Sequence, residues 1–264
     1  MNKLSNETLL NYCDSDDYTL QAEALVELAD TDFYAAVPKI IRLLKSPDSS
    51  IRSSAVYTLG YLGIEELETV GNQLMDSLKD PEEIVRSEAV EALGQLGYNS
   101  ALEAIKFLLI NDSSPLVRAS AAETLGYLGE PEALETLELS LSNINEDEAV
   151  RGYAANSIGL LATPQMLPKL EDYINSEIPL RIKAELLGAM YCLGKKKALN
   201  FLLSLLDNAD EHLGTIILNI LTDLQERNYP STLTQDAPDI GKVLRAIAQR
   251  FPILQPHTQQ IMAQ

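Results

Sequence analysis

His212 and His257 are the only imidazoles in this 264-residue chain, and Cys13 and Cys192 its only thiols, so few groups are available for acid–base, nucleophilic or metal chemistry. A structural zinc or iron–sulfur site takes about four such ligands, and neither cysteine has a second cysteine or a histidine at ligand spacing. No metal and no cofactor are expected. A catalytic cysteine or serine would want a general base beside it, which two histidines near the C-terminal end scarcely provide. Cys192 follows Tyr191 in a helical pattern and reads as a buried residue. Gly60-Tyr61-Leu62-Gly63 and its copies fall at helix ends by position, not in phosphate cradles. The expectation is a protein that is not an enzyme.

What does recur is arginine. Arg52, Arg86, Arg118 and Arg151 stand 34, 32 and 33 residues apart, and six residues before each comes a short polar residue: Ser46, Asp80, Asp112 and Asn145. Such residues bond nearby amides and favour turns and helix starts. An arginine fork grips a carboxylate at two points, which makes Asp80 and Asp112 natural partners.

The elements that must position these arginines follow from periodicity. Val85, Ala89, Leu93 and Leu96 fall in one stripe at about 100° per residue, and the same slots are apolar in the other copies. Each copy, Ile51 to Gly63, Val85 to Gly97, Val117 to Gly129 and Val150 to Ala162, is therefore an amphipathic helix. Gly63, Gly97 and Gly129 are its expected left-handed stops. Between these lie further apolar-periodic stretches, Ala35 to Lys45, Leu67 to Lys79, Ala101 to Ile110, Ala133 to Leu141 and Gln165 to Ile174. Pro47, Pro81 and Pro115 sit in the short turns that join the two, where a missing amide does least harm. The unit is helix, short turn, helix.

The pattern decays at both ends, as terminal repeats must cap an exposed core. Leu20 to Leu28 has the stripe with Gln21 in the arginine slot and Ser15 six positions earlier, after a first helix from Leu4 to Tyr12 capped by Ser5. In a sixth unit Arg181 or Lys183 fills the slot, and Ile182, Leu186, Met190 and Leu193 favour Lys183. A seventh, around Leu213, Ile217, Leu221 and Leu224, lacks the basic residue. Residues 1–227 are read as the repeats. Residues 228–264 are read as a turn-rich stretch to Pro238, a capping helix from Ile240 to Arg250, and a partly ordered polar tail.

The composition bounds the setting. With 46% hydrophobic residues the chain has a core to bury, and no apolar run approaches the roughly 18 residues needed to cross a bilayer. The segment Met1 to Glu7 lacks a signal-peptide core, and one pair of distant cysteines makes no disulfide framework, so a cytoplasmic protein is expected. Formal charge is -19, from 39 acidic and 20 basic residues, which repels nucleic-acid backbones and anionic lipid surfaces. The partner expected is another protein, one with a basic surface. Neither nucleic acid nor membrane is expected.

The string V-R-x-x-A-x-x-x-L-G-x-L-G at Val85 to Gly97, preceded by a helix such as Leu67 to Lys79, resembles a HEAT repeat. It resembles most the short variety found in subunits of phycobilisome bilin lyases and in many bacterial proteins. The resemblance spans about residues 15–225 and implies an all-α fold, an alpha-alpha superhelix. This is a right-handed solenoid of about six to seven helix pairs with first helices outside and second helices lining a concave wall. It also implies a structural role for Arg52, Arg86, Arg118 and Arg151, bonding the neighbouring repeat or its inter-helix turn. Two other helical-repeat classes do not fit. Neither histidine precedes a glutamate, as di-iron hydroxylases require, and an acidic chain without tryptophan does not suit repair of alkylated bases.

With Ala89 at the centre of the buried stripe, positions two, five and nine after the arginine turn away from it, and the resemblance places them on that wall. They are Ser54, Tyr57 and Tyr61; Glu88, Glu91 and Gln95; Ser120, Glu123 and Tyr127; Tyr153, Asn156 and Leu160. Tyrosine gives a large contact area with few rotors, and carboxylates select basic groups. The expected function is a protein-binding scaffold or adaptor with an acidic, tyrosine-bearing face. Two alternatives stand beside it: a bilin lyase subunit or chaperone, and an immunity protein that neutralises a basic toxin.

Overall fold

The computed structural model describes residues 4–226 and 233–263, all of it helix, turn or loop, with no strand among them. Two compact units, Met1–Thr136 and Leu137–Gln264, divide the chain.

In the first unit four helix pairs follow one another: α1 (Asn6–Cys13) with α2 (Tyr18–Ala29), α3 (Val37–Leu43) with α4 (Ser49–Leu62), α5 (Leu67–Ser77) with α6 (Glu83–Gln95), and α7 (Leu102–Asn111) with α8 (Pro115–Leu128). Second helices pack side by side, α2 on α4, α4 on α6 and α6 on α8. Their shared seam is the predicted stripe: Val85, Ala89 and Leu93 are buried, as are Ile51, Ala55 and Leu59 in the preceding copy. Ser5 caps α1, accepting the amide of Thr8, and aspartates cap α2 and α4. Asp17 accepts the amide of Thr19, Asp48 those of Ser50 and Ile51, and each bond satisfies a donor that the helix itself leaves unpaired.

Close approach of neighbouring second helices demands small residues at the contact. A Cβ on Gly94 would lie 2.6 Å from Thr124 Cγ2. Gly97 and Gly129 end their helices at φ +62° and +77°, which only glycine adopts freely. Gly63 departs from this expectation. Its φ of -76° is right-handed, the chain runs on into a 3-10 turn from Gly63 to Glu66, and an added Cβ would stand 2.6 Å from Val70 Cγ1. Space, not backbone freedom, requires glycine there.

The second unit takes in most of α9 (Leu134–Ser142), then α10 (Glu148–Leu161), α11 (Leu167–Asn175), α12 (Leu180–Cys192), α13 (Lys197–Leu205) and α14 (Glu211–Glu226). Again α10 packs on α12 and α12 on α14. Lys183 is the fourth residue of α12, the place Arg86 holds in α6, so the register is the one that its apolar residues favour. Beyond lie α15 (Leu233–Asp236), α16 (Ile240–Arg250) and α17 (Gln255–Ala263). The expected turn-rich stretch falls partly on residues 227–232, outside the described residues. The segment after Pro252, read from sequence as a partly ordered tail, forms a 3-10 turn and then α17. α17 packs on α14 with Thr258 and Ile261 buried. His257 Nε2 lies 2.9 Å from Thr222 Oγ1, and Gln225 donates to the Ile261 carbonyl. Few apolar residues mark this helix in sequence, and its anchorage is polar.

Among the described residues no helix is long and apolar enough to cross a membrane.

Candidate functional site

The recurring arginines build a ladder along one side of the first unit. Arg52 donates through Nε and Nη2 to Asp80 at 2.7 and 2.9 Å, and Arg86 does the same to Asp112 at 2.8 and 2.9 Å. The remaining Nη1 of each reaches back to the carbonyl six residues earlier, Ser46 or Asp80. Arg118 Nη1 bonds the Asp112 carbonyl in the same way, and Gln21 Nε2 the Ser15 carbonyl. Each aspartate also accepts the amide two residues on, from Glu82 or Ser114. Burial pushes the Asp80 and Asp112 carboxyls upward, but the arginine fork, that amide and the arginine charges outweigh it and hold both below the ordinary range. These bidentate pairs tie one inter-helix turn to the next.

Arg151 breaks the series. Its Nε donates to the Leu141 carbonyl, ten residues back, while Asn145, the residue that spacing selects, is exposed with its own amide on Asn143 Oδ1. The turns before α4, α6 and α10 span the same number of residues, 44–48, 78–82 and 143–147, so turn length does not account for the shifted acceptor. At the C-terminal end the slot of α14 falls on Gly214, and Arg250 of α16 bonds the turn instead, donating to the carbonyls of Leu206, Asp207 and Ala209 at 2.6 to 2.7 Å.

The expected wall residues of the first unit lie on the second helices, away from the seam. Tyr57 and Tyr61 are 47% and 44% exposed, with ring centroids 4.9 Å apart and the Tyr57 hydroxyl donating to that of Tyr61 over 3.1 Å. Tyr57, Glu88, Ser54, Val26 and Asp30 line a cleft of about 280 Å³. Glu91, Gln95, Glu123 and Tyr127 line a second of about 220 Å³. Burial and the neighbouring Glu91 charge push the Glu88 carboxyl up from its ordinary range. Glu91 accepts a 2.6 Å bond from Ser120, and Tyr127 donates to Glu123 at 3.4 Å. Ser120 is not a surface contact: it is buried, with its hydroxyl 2.8 Å from that of Ser87.

In the second unit Tyr153 is half-buried beneath the Arg181 guanidinium, 5.4 Å from ring centroid to Cζ. Asn156 donates to Glu185 at 3.2 Å. Cys192 is half-buried, not buried as read from sequence, and it is Tyr191 that is enclosed, donating to Asp236. Val26 and Asp30, which line the cleft beside Tyr57, and Glu185 and Cys192, which line a small hollow with Asn156, were not among the expected residues. All four obey the same rule of two, five and nine residues after the slot once it is extended to Gln21 and Lys183, so the signal lay in the degenerate repeats.

Among the described residues no group of three or more His, Cys, Asp or Glu side chains is placed to hold a metal ion.

Comparison with known proteins places this architecture. The fold is similar to that in the complex of CpcE and CpcF of phycocyanin lyase from Nostoc sp. PCC7120, at 20% identity and TM-score 0.60, covering 94% of this chain and 96% of that one. More distant are an engineered protein (18% identity, TM-score 0.46, covering 84% of this chain and 98% of that one) and human deoxyhypusine hydroxylase (17%, 0.31, 70% and 83%). No curated protein sequence matches the chain. The family model for HEAT repeats matches residues 6–71 and 71–146, more than half of the sequence, and with the stacked helix pairs described above the chain belongs to the HEAT-repeat proteins.

Proposed function

We propose that this protein is a non-enzymatic, protein-binding scaffold, and that the second helices of its first unit receive a partner with a basic surface. The observation that carries this reading is the row formed by Tyr57, Tyr61, Glu88, Glu91, Gln95, Glu123 and Tyr127. Two of its tyrosines stand nearly half exposed beside a cleft, and a third, Tyr127, is 69% exposed beside the other. Among the described residues neither Glu88 nor Glu91 has a lysine or arginine at ion-pair distance, although ladder carboxylates elsewhere do. Desolvating a carboxylate without a cation is costly, and a partner's guanidinium or ammonium group would relieve that cost. Tyr153 and Asn156 hold the corresponding repeat positions in the second unit and are proposed as partner contacts of that unit by itself. In this reading residues 1–227 carry the repeats and 228–264 close their end, and Arg52, Arg86, Arg118, Arg151, Asp80 and Asp112 act structurally. In this reading the chain works in the cytoplasm, where cysteines are kept reduced. The test is capture from extract of the native cell on the immobilised chain, compared with a Glu91→Lys, Glu123→Lys variant. A stoichiometric partner retained by the first and lost by the second supports the wall; equal retention refutes it.

A second reading rests on the fold likeness to the phycocyanin lyase structure, a complex of two proteins. Here the chain would be one subunit of a bilin lyase, binding an open-chain tetrapyrrole alongside a second subunit. Mixing with bilin, a second subunit and an acceptor protein should then shift the visible spectrum. An unchanged spectrum removes this reading and leaves the scaffold untouched.

A further inference from the structure

The second unit holds a cleft of about 440 Å³ between first helices α11 and α13, with α12 beneath. Its floor is apolar: Leu187, Met190 and Ala198 are buried there, and Phe201 stands 60% exposed at its side. Two lysines enter it, Lys183 and Lys195. Lys195 is paired with Glu171, whereas Lys183 has no carboxylate at ion-pair distance among the described residues.

The origin of the cleft is a failure of the ladder. At two slots of the first unit, Arg52 and Arg86, the fork of an arginine crosses to an aspartate of the following turn. In α12 the slot holds Lys183, a single point charge that cannot make the bidentate grip. The following turn, residues 206–209, has its carbonyls taken by Arg250. The slot cation is left facing an apolar hollow. Within a protein of charge -19, this is a local excess of one positive charge: two ammonium groups against one carboxylate.

We propose that this cleft binds an amphiphilic monocarboxylate with an unbranched alkyl chain, its carboxylate on Lys183 and its chain over Leu187 and Met190. The volume lies in the range of small-ligand pockets, which are largely apolar with a few polar groups that fix orientation. One uncompensated charge selects a monoanion. A groove between helices runs along them, and its lining along α12, from Lys183 to Met190, gives it about 10 Å of length, which suits an extended chain better than a compact ring system.

The test is calorimetric titration of the full chain with octanoate, decanoate and dodecanoate below their micellar concentrations. Affinity is expected to tighten about fourfold per added methylene, the equivalent of ~0.8 kcal/mol. Decanol should bind at least tenfold more weakly than decanoate. Lys183→Ala should remove that preference for the acid, and Lys183→Arg should keep it. Ser204→Trp, a substitution at an exposed lining position, should abolish binding without altering the melting curve. Absence of saturable binding, equal affinity for acid and alcohol, or unchanged decanoate affinity in Lys183→Ala or Ser204→Trp would overturn the proposal. None of these outcomes bears on the acidic face of the first unit.

Discussion

Replacing Asp112 by alanine tests the ladder most directly. The substitution removes both bonds from Arg86, at 2.8 and 2.9 Å, and the bond that caps the Ser114 amide at 2.8 Å. Only 13% of the Arg86 side chain and 6% of that of Asp112 are exposed, so an arginine is left mostly enclosed without its counter-charge. Breaking such a pair from one side costs about 3–5 kcal/mol. The lower end applies, because Arg86 keeps the carbonyls of Asp80 and Pro81; the lost turn bond adds about 1 kcal/mol. A loss near 4 kcal/mol is expected in urea unfolding followed by circular dichroism. Repeat arrays melt by neighbouring units, so amide exchange across α7 and α8 should localise the loss. Arg86→Ala with Asp112→Ala should cost less than the two singles summed by about 1.5–3 kcal/mol. The sign with pH is fixed as well. A carboxyl held below its unfolded value near 3.9 contributes in full above that pH and loses its contribution as pH falls through the folded value. Acid below about pH 4 should therefore narrow the gap between wild type and Asp112→Asn. A single-variant loss under 0.5 kcal/mol, or an additive cycle, would refute the reasoning.

Glu88, held above its ordinary range by burial and by Glu91, destabilises the fold in its charged form. Its protonated form is favoured, so Glu88→Gln should raise stability at pH 7 by a few tenths of a kcal/mol and leave it unchanged below pH 4, as thermal melts at both pH values would reveal. Gly94→Ala drives a methyl to 2.6 Å from Thr124 Cγ2 and should cost about 1–3 kcal/mol in urea unfolding; Thr124→Ser, which removes that methyl, should recover most of the loss. Arg250→Ala frees the carbonyls of Leu206, Asp207 and Ala209, and exchange of the amides in α16 should accelerate about tenfold or more while those of α10 stay protected.

The fold was legible because its period is carried by residues that do different jobs at fixed offsets. Arg86, Asp80 and Ala89 are respectively clamp, turn and seam, and each constrains the others. The partners Asp80 and Asp112 could be named because the turn is short and constant. Arg151 shows where this reasoning ends: it holds the same place in its helix as Arg86, yet it bonds the Leu141 carbonyl ten residues back and not Asn145, which spacing selects. Gly63 misled for a related reason: glycine serves both a left-handed bend and close packing, and one letter does not distinguish them. Arg250 could not be read at all, because it lies outside the repeats and its three acceptors stand more than forty residues before it. Which second-helix positions turn from the seam followed from helix geometry, but which of them stay open depended on neighbours. Ser120 is closed off by Ser87 and Glu91, whereas Val26 and Asp30 join Tyr57 from a repeat too degenerate to be trusted for sites.

Gln21 does in the first pair what arginine does in the next three, but with one bond to the Ser15 carbonyl in place of several, and its Oε1 is enclosed without a partner. Under tension applied at the amino terminus, the earliest rung met is thus the weakest. The protein should peel from that end one hairpin at a time, with the doubly gripped turns at Asp80 and Asp112 acting as ratchet stops behind it.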